Sequence, residues 1–323
     1  GAREGEVGGA VPSKLVIKVL TFNRPKPLER LLNSLKSADY GGDTADLQVW
    51  IDGPRRGKST TARDAVISMA KNVKWDHGKL DVTVRDKNVG LVGNWLGCWK
   101  DAPADGGGWS TAVVVLEDDM EVSSLYWRWL KKMWGNYAFR TDLAGISLQY
   151  QHTRGSDGAN TFHVTNGDKP YLYKIPGSWG FSPHPIAWAK FLAWQKSKAE
   201  SGYEPNDLQF KGKDVITTRW WKDMRGRGQD PRMWTQWYLR FMEDNKLFCL
   251  YPNLPMRHAF AASWNEQGEH DPGNMARKRS SPLQTEWTWY CDAAPKQPVR
   301  LDFDGSIMQT PPPPSAPSPP STP

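Results

Sequence analysis

Cysteine is scarce: Cys98, Cys249 and Cys291 are the only three in 323 residues, and they lie far apart. Thiols so placed match neither a zinc-site spacing nor a disulfide-built scaffold, and at most one bridge could form among them. Long apolar runs are missing too, and none approaches the roughly 20 residues that a membrane-spanning helix needs. There is no initiator methionine, no signal peptide and no internal repeat, and residues 1–13 read as an edge or stem remnant ahead of the domain. Membrane contact is therefore expected only through an anchor preceding residue 1. Nucleic-acid motifs are absent as well: the formal charge is +7, but the basic residues are scattered. That balance permits an anionic partner without naming one. A nucleotide diphosphate or an acidic glycan fits it at least as well as nucleic acid, which is not expected as a partner.

Tryptophan, by contrast, is abundant, with eighteen in the chain. Some must be core, and the rest offer aromatic planes on which the apolar faces of sugar rings can stack. The chain is organised around residues 112–122, a β-branched apolar run that ends in Glu117, Asp118 and Asp119. Such a run reads as a buried central strand whose terminal charges emerge at the sheet edge. In open α/β sheets ligands bind at that edge, and adjacent hard oxygens suit Mg²⁺ or Mn²⁺ shared with phosphate. A solvated acidic turn is the plainer alternative.

Around it the chain alternates strands and helices. Residues 14–22 read as a strand broken by Asn23-Arg24-Pro25, after which Leu28, Leu31, Leu32 and Leu35 fall at helical spacing. Residues 47–52 form a second strand ending in Asp52-Gly53-Pro54, followed by a helix over 61–71. A third strand, 80–85, ends at Arg85. The segment after it, Asn88-Val89-Gly90-Leu91-Val92-Gly93-Asn94, lacks the spacing of a Walker loop or a dinucleotide fingerprint. Beyond the acidic strand, residues 123–139 read as a helix with Trp127, Leu130 and Trp134 inward. Residues 144–150 read as a strand and 151–169 as a long polar loop. Ser178-Trp179-Gly180 precedes another helix, residues 231–243 give a helix with Asp230 as N-cap and Pro231 at its first position, and 247–251 form a final strand. From residue 295 onward the composition turns proline-rich, and 295–323 is expected to be a linker or tail in extended polyproline conformation.

The acidic strand, Arg24 after the first strand, Asp52 at the second strand's end and the Ser178-Trp179-Gly180 element occur in an order that resembles the GT-A fold nucleotide-sugar glycosyltransferases. N-acetylglucosaminyltransferase I and related bacterial sugar transferases are the members most alike, and the resemblance runs patchily over residues 14–270. It implies an α/β fold over residues 14–294, a Rossmann-like mixed, centrally parallel sheet flanked by helices. It further implies a metal-dependent enzyme that moves a sugar, with inversion, from a UDP-sugar to a glycan or glycoprotein hydroxyl in the Golgi or secretory lumen.

In that resemblance Asp119 binds Mn²⁺ or Mg²⁺, while Asp118 and Glu117 face the ribose and nucleotide. Arg24 contacts the nucleotide, and Asp52 accepts from the uracil N–H. Arg85, Asn88 and Asn94 touch the donor, and Trp179 and Gly180 stand at the donor–acceptor junction. A late histidine, His270 or alternatively His258, completes the metal shell, and Arg277-Lys278-Arg279 is a diphosphate clamp or a solvated basic run. An inverting reaction also needs a carboxylate to take the acceptor's proton. Thr235-Gln236-Trp237 matches a family Tyr-Gln-Trp, yet the family's aspartate position falls here on Trp234 or Thr235. Asp230 is then the first candidate base and Asp223 the second. Two other classes stay open: a sugar-1-phosphate nucleotidyltransferase, which would want a glycine-rich basic loop after the first strand, and a non-catalytic, tryptophan-rich glycan-binding module.

Overall fold

The computed structural model describes residues 11–105, 109–160, 162–265 and 278–309. Strand β1 (Lys14–Thr21) runs into α1 (Pro25–Lys36), β2 (Thr44–Ile51) into α2 (Thr61–Asn72), and β3 (Leu80–Val84) into α3 (Gly90–Cys98). Then follow β4 (Thr111–Glu117), β5 (Met120–Val122), α4 (Tyr126–Tyr137), β6 (Leu143–Ser147), β7 (Tyr171–Tyr173), β8 (Phe181–Pro183) and α5 (Pro185–Glu200). A small hairpin, β9 (Gln209–Phe210) with β10 (Lys213–Asp214), precedes α6 (Ile216–Gly226) and α7 (Trp234–Asp244). The chain ends in β11 (Phe248–Tyr251), β12 (Ala261–Ser263), α8 (Trp289–Asp292) and β13 (Arg300–Leu301).

Among the described residues nine strands form one sheet in the order β13-β7-β11-β6-β8-β4-β1-β2-β3. Strands β3, β2, β1 and β4 are parallel neighbours, and β8 enters antiparallel between β4 and β6. This is the mixed, centrally parallel α/β sheet that the sequence led us to expect. Parallel neighbours need crossover connections, and α1, α2 and α3 supply them. Successive strands step outward from β1 to β3, and β4 then returns to the opposite side of β1, so the strand order reverses between β1 and β4. A crevice opens at such a reversal, beyond the carboxyl ends of the strands. The register aligns those ends, with Leu20 opposite Glu117 and Thr21 opposite Ile51.

Each face of the sheet buries its own core. Leu15, Ile17, Val19, Val114 and Leu116 pack beneath α1, α2 and α4, including Trp127, Leu130 and Trp134. Leu20, Val113 and Val115 face the other way, onto Trp95 of α3, Trp188 of α5 and Trp234 of α7. Most of the large aromatic side chains are thus core. All three cysteines are buried and unbridged.

Three expectations need correction. The acidic run does not continue one strand to residue 122: β4 stops at Glu117, the chain turns at Asp118-Asp119, and β5 pairs separately with β12. Helix α7 begins at Trp234, with Met233 rather than Asp230 at its N-cap position and no side-chain cap. Its start is fixed by packing, since Trp234 stacks on Trp95 at 4.0 Å between ring centroids. Finally, the fold does not end at residue 294. Strand β13 pairs with β7, and Leu301 and Phe303 are buried; the proline run from 311 lies outside the described residues.

Candidate active site

At the crevice between β1 and β4 the backbone sets the carboxylates before any side-chain chemistry is considered. The Asp118 N–H donates to the Leu20 carbonyl at 3.1 Å, which holds the turn against the tip of β1. The end of β4 at Glu117 and the turn at Asp118-Asp119 send the three carboxylates different ways. Glu117 accepts from the Trp95 indole N–H at 3.0 Å, under α3. Asp118, almost fully buried, accepts from the Thr21 hydroxyl at 2.7 Å through Oδ2 and pairs with Arg24 Nη2 through Oδ1. Asp119 turns into the crevice, where both Nη1 and Nη2 of Arg24 lie 3.3 Å from its Oδ2.

This concentration of acid has electrostatic consequences. Burial, with Asp119 and Asp118 nearby, pushes the Glu117 carboxyl up to about 8 despite its indole partner. Burial raises Asp119 to about 6, Arg24 pulling it down and Asp118 pushing it up. Burial works against the Arg24 charge, yet Asp118 and Asp119 more than offset it, and the guanidinium is held protonated even more firmly than usual.

The crevice is a cavity of about 790 Å³, within the range of small-molecule sites. Of the residues expected at a site, Arg24, Asp52, Asn94, Glu117, Asp118, Asp119 and Trp179 line it. Gly180 lies just behind: it has φ +76°, and a Cβ there would come within 2.8 Å of the Ala261 Cβ. That close approach lets the Trp179 loop pack on β12, with the Trp179 N–H held by Gln149 Oε1 at 2.9 Å.

Asp52 lines the cavity, but its oxygens are already in use. Oδ1 accepts from the N–H groups of Gly53 and Val89, and Oδ2 from the Asn88 amide and the Gly90 N–H, all within 2.7–3.0 Å. Four donors fill what a carboxylate can accept, so the uracil contact expected of Asp52 finds no open lone pair here. Asp52 and Asn88 instead clamp the end of β2 to the start of α3. Gly53 makes the clamp sterically feasible, because a Cβ there would lie 2.0 Å from the Lys87 carbonyl carbon. Arg85 is likewise structural, donating to Asn94 Oδ1 at 2.8 Å and lying over the Trp50 ring. Neither Asn88 nor Arg85 lines the cavity.

Of the opposite wall, only Lys278, in the basic run, was singled out from sequence. The wall is made by Ser263, Trp264, Asn265, Lys278 and Ser280, with Phe22 and Arg55 near the first strand. The Trp264 N–H donates to the Asp119 carbonyl at 2.8 Å, and its indole N–H donates to Glu121 Oε2 at 2.8 Å. Arg30 stacks on the Trp264 ring, and Arg279 pairs with Glu121 at 3.2 Å. Of the basic run, Lys278 faces the cavity and Arg279 supports its wall, and Arg277 lies outside the described residues. Only the pairing of β5 with β12 reveals this wall, and no local motif announces it.

The expected bases are elsewhere. Asp230 is an exposed residue whose side chain pairs with Arg225 at 3.3 Å, and Asp223 is exposed on α6; neither lines the cavity. His258 is held by Gln284 at 2.8 Å, also outside the lining. His270 lies outside the described residues.

Whether a divalent cation fits is answered by Asp119. Its Oδ1 is buried and accepts no hydrogen bond among the described residues, an uncommon and costly condition for a carboxylate oxygen. No group of three or more His, Cys, Asp or Glu side chains is arranged to hold a metal among those residues. One protein carboxylate with substrate phosphates and water is nevertheless a common ligand set for Mg²⁺ and suits Mn²⁺ equally. The site therefore fits a cation carried jointly by Asp119 and a phosphorylated ligand, not one caged by three carboxylates.

The sequence matches no protein-family model and no curated protein. Solved structures similar to this chain include TarS 1-349 of S. aureus, at 14% identity and TM-score 0.41, over 76% of this chain and 61% of that one. The same protein in complex with UDP-GlcNAc gives 14% identity and TM-score 0.42, over 81% and 62%. The mannosyltransferase PcManGT from Pyrobaculum calidifontis, in complex with GDP-Man and Mn²⁺, gives 14% and 0.34, over 75% and 57%. The chain thus spans about six-tenths of the length of these proteins.

Proposed function

We propose that the chain is a metal-dependent glycosyltransferase whose donor is a nucleoside-diphosphate sugar, in the first instance a UDP-sugar, and whose acceptor is a glycan or glycoprotein hydroxyl. The observation that carries the reading is Asp119, with one oxygen on Arg24 and the other buried with no donor among the described residues, facing a cavity at the strand-order reversal. Transfer breaks the bond between the anomeric carbon and the diphosphate oxygen and makes one to the acceptor oxygen, leaving negative charge on the departing diphosphate. A cation bound at Asp119 would neutralise that charge without a proton transfer. Arg24 and Lys278 offer positive charge to the same group, and Trp179 and Trp264 offer aromatic surface to a sugar ring. The proton-accepting role expected of Asp230 or Asp223 is not carried forward, since both are solvent-facing.

The test is UDP release from a panel of UDP-sugars, with and without Mn²⁺, for the wild-type chain and Asp119→Ala. Metal-dependent turnover of one donor, lost in the variant while its circular dichroism stays native, is the expected result. Undiminished activity in the variant would overturn the reading. A glycan-binding module is the second reading, favoured by the lack of an uncommitted carboxylate on the cavity wall opposite Asp119 among the described residues. Glycan binding that needs neither metal nor nucleotide would select it.

A further inference from the structure

The guanidinium of Arg24 and a divalent cation have claims on the same carboxylate. Nη2 of Arg24 contacts Asp118 and lies 3.3 Å from Asp119 Oδ2, so one side chain bridges both acids. A dication ligated by Asp119 beside that guanidinium would face direct like-charge repulsion. We propose that Arg24 is a displaceable occupant of the cation site, leaving Asp119 for the diphosphate when nucleotide enters, so that nucleotide and cation bind cooperatively. This rests on the reading of the cavity as a nucleotide-diphosphate site.

The local structure allows the side chain to move while the backbone stays. Arg24 precedes Pro25, sits at φ −117° and ψ 80°, and its carbonyl accepts the Leu28 N–H at 3.2 Å, so the main chain is held by the start of α1. The side chain retains about a quarter of its exposure, into the cavity. Its departure would not strand Asp118, whose Oδ2 keeps the Thr21 hydroxyl at 2.7 Å. The guanidinium trades carboxylate for phosphate, a geometry it binds in two-pronged fashion, and Asp119 trades guanidinium for cation, while Asp118 gives up its charged partner and keeps the neutral Thr21 hydroxyl.

The competition is read by electron paramagnetic resonance of Mn²⁺, titrated into the wild-type chain, Arg24→Gln and Arg24→Lys, with and without UDP. Association of Mn²⁺ with UDP alone is measured separately and subtracted. Removing the competitor should tighten Mn²⁺ binding without nucleotide by about tenfold, and shrink the further tightening that UDP brings. In the wild-type chain UDP should tighten Mn²⁺ and Mn²⁺ should tighten UDP by the same factor. Arg24→Lys, which keeps the charge but cannot span two carboxylates, should fall between, and it decides the matter if Arg24→Gln does not fold. Folded variants that bind Mn²⁺ no tighter than wild type would overturn the proposal; if they still bind UDP, the donor-site reading survives. Tighter Mn²⁺ binding in the variants with no UDP binding by any form would overturn that reading and the nucleotide half of the proposal with it.

Discussion

Four N–H groups converge on Asp52, and each would lose its acceptor if the side chain were cut back. Gly53 is buried, so its stranded N–H costs about 1–3 kcal/mol, whereas the Asn88 and Val89 donors lie at the exposed surface and can turn to water; Asp52→Ala should therefore lower unfolding stability by roughly 2 kcal/mol in urea titrations. Asp119 should behave in the opposite way. Its Oδ1 satisfies no donor among the described residues, so Asp119→Ala is expected to alter stability less than Asp52→Ala in the same titrations while abolishing metal-dependent nucleotide binding. Both residues were legible as acids at strand ends, and nothing in the sequence separated them. The difference lies in the donors, which reach Asp52 from Asn88, Val89 and Gly90, far along the chain and across a strand pair. A glycine whose Cβ would strike Lys87 is the trace such an approach leaves, and Gly53 carries it within an ordinary-looking Asp-Gly-Pro turn.

At the level of elements, caps behaved less predictably than stripes. Leucine spacing in α1 gave its buried face directly, whereas the Asp230-Pro231 signal was overridden by the stacking of Trp234 on Trp95, a contact between segments far apart in sequence. The start of α5 carries an unusual cap. His184 Nδ1 accepts from the Ala187 N–H at 3.4 Å, while Nε2–H donates to the Ala138 carbonyl at 3.1 Å, an arrangement only the neutral ring can make. Burial, with Lys190 adding to it, depresses its pKa to about 4 from 6.5 although the Ala138 bond acts the other way. Between those values the unfolded chain binds more protons than the folded one, so stability is full above about 6.5 and declines as pH falls toward 4. The decline attributable to this ring is about 3 kcal/mol. Chemical denaturation across that window should show the slope, and His184→Asn, a cap without a titrating ring, should flatten it.

On the scale of the whole molecule, composition placed the end of the domain too early because the proline content rises before the fold is finished. Arg300 reaches back to Asp142 with bonds of 2.7 and 3.0 Å, and the Phe303 carbonyl accepts from both Tyr173 and Ser156. A chain cut after residue 294 exposes the surfaces that Leu301 and Phe303 cover. It should lose roughly 3 kcal/mol or more, read as a lower melting temperature than that of the full chain. The alternation of strands with helices and the placing of the acids at a strand tip were readable from local patterns, whereas the strand order was not. The wall opposite Asp119 was not, because it depends on β12 returning to β5 from more than a hundred residues downstream. That return sets Ser263, Trp264, Asn265, Lys278 and Ser280 across the cavity from residues of the first 120, with Trp179 also in its lining. A molecule filling the gap acts as a reversible cross-link between the beginning and the end of the chain. Its binding free energy adds to the cost of separating them, so an occupied protein should open at β12 less often than an empty one.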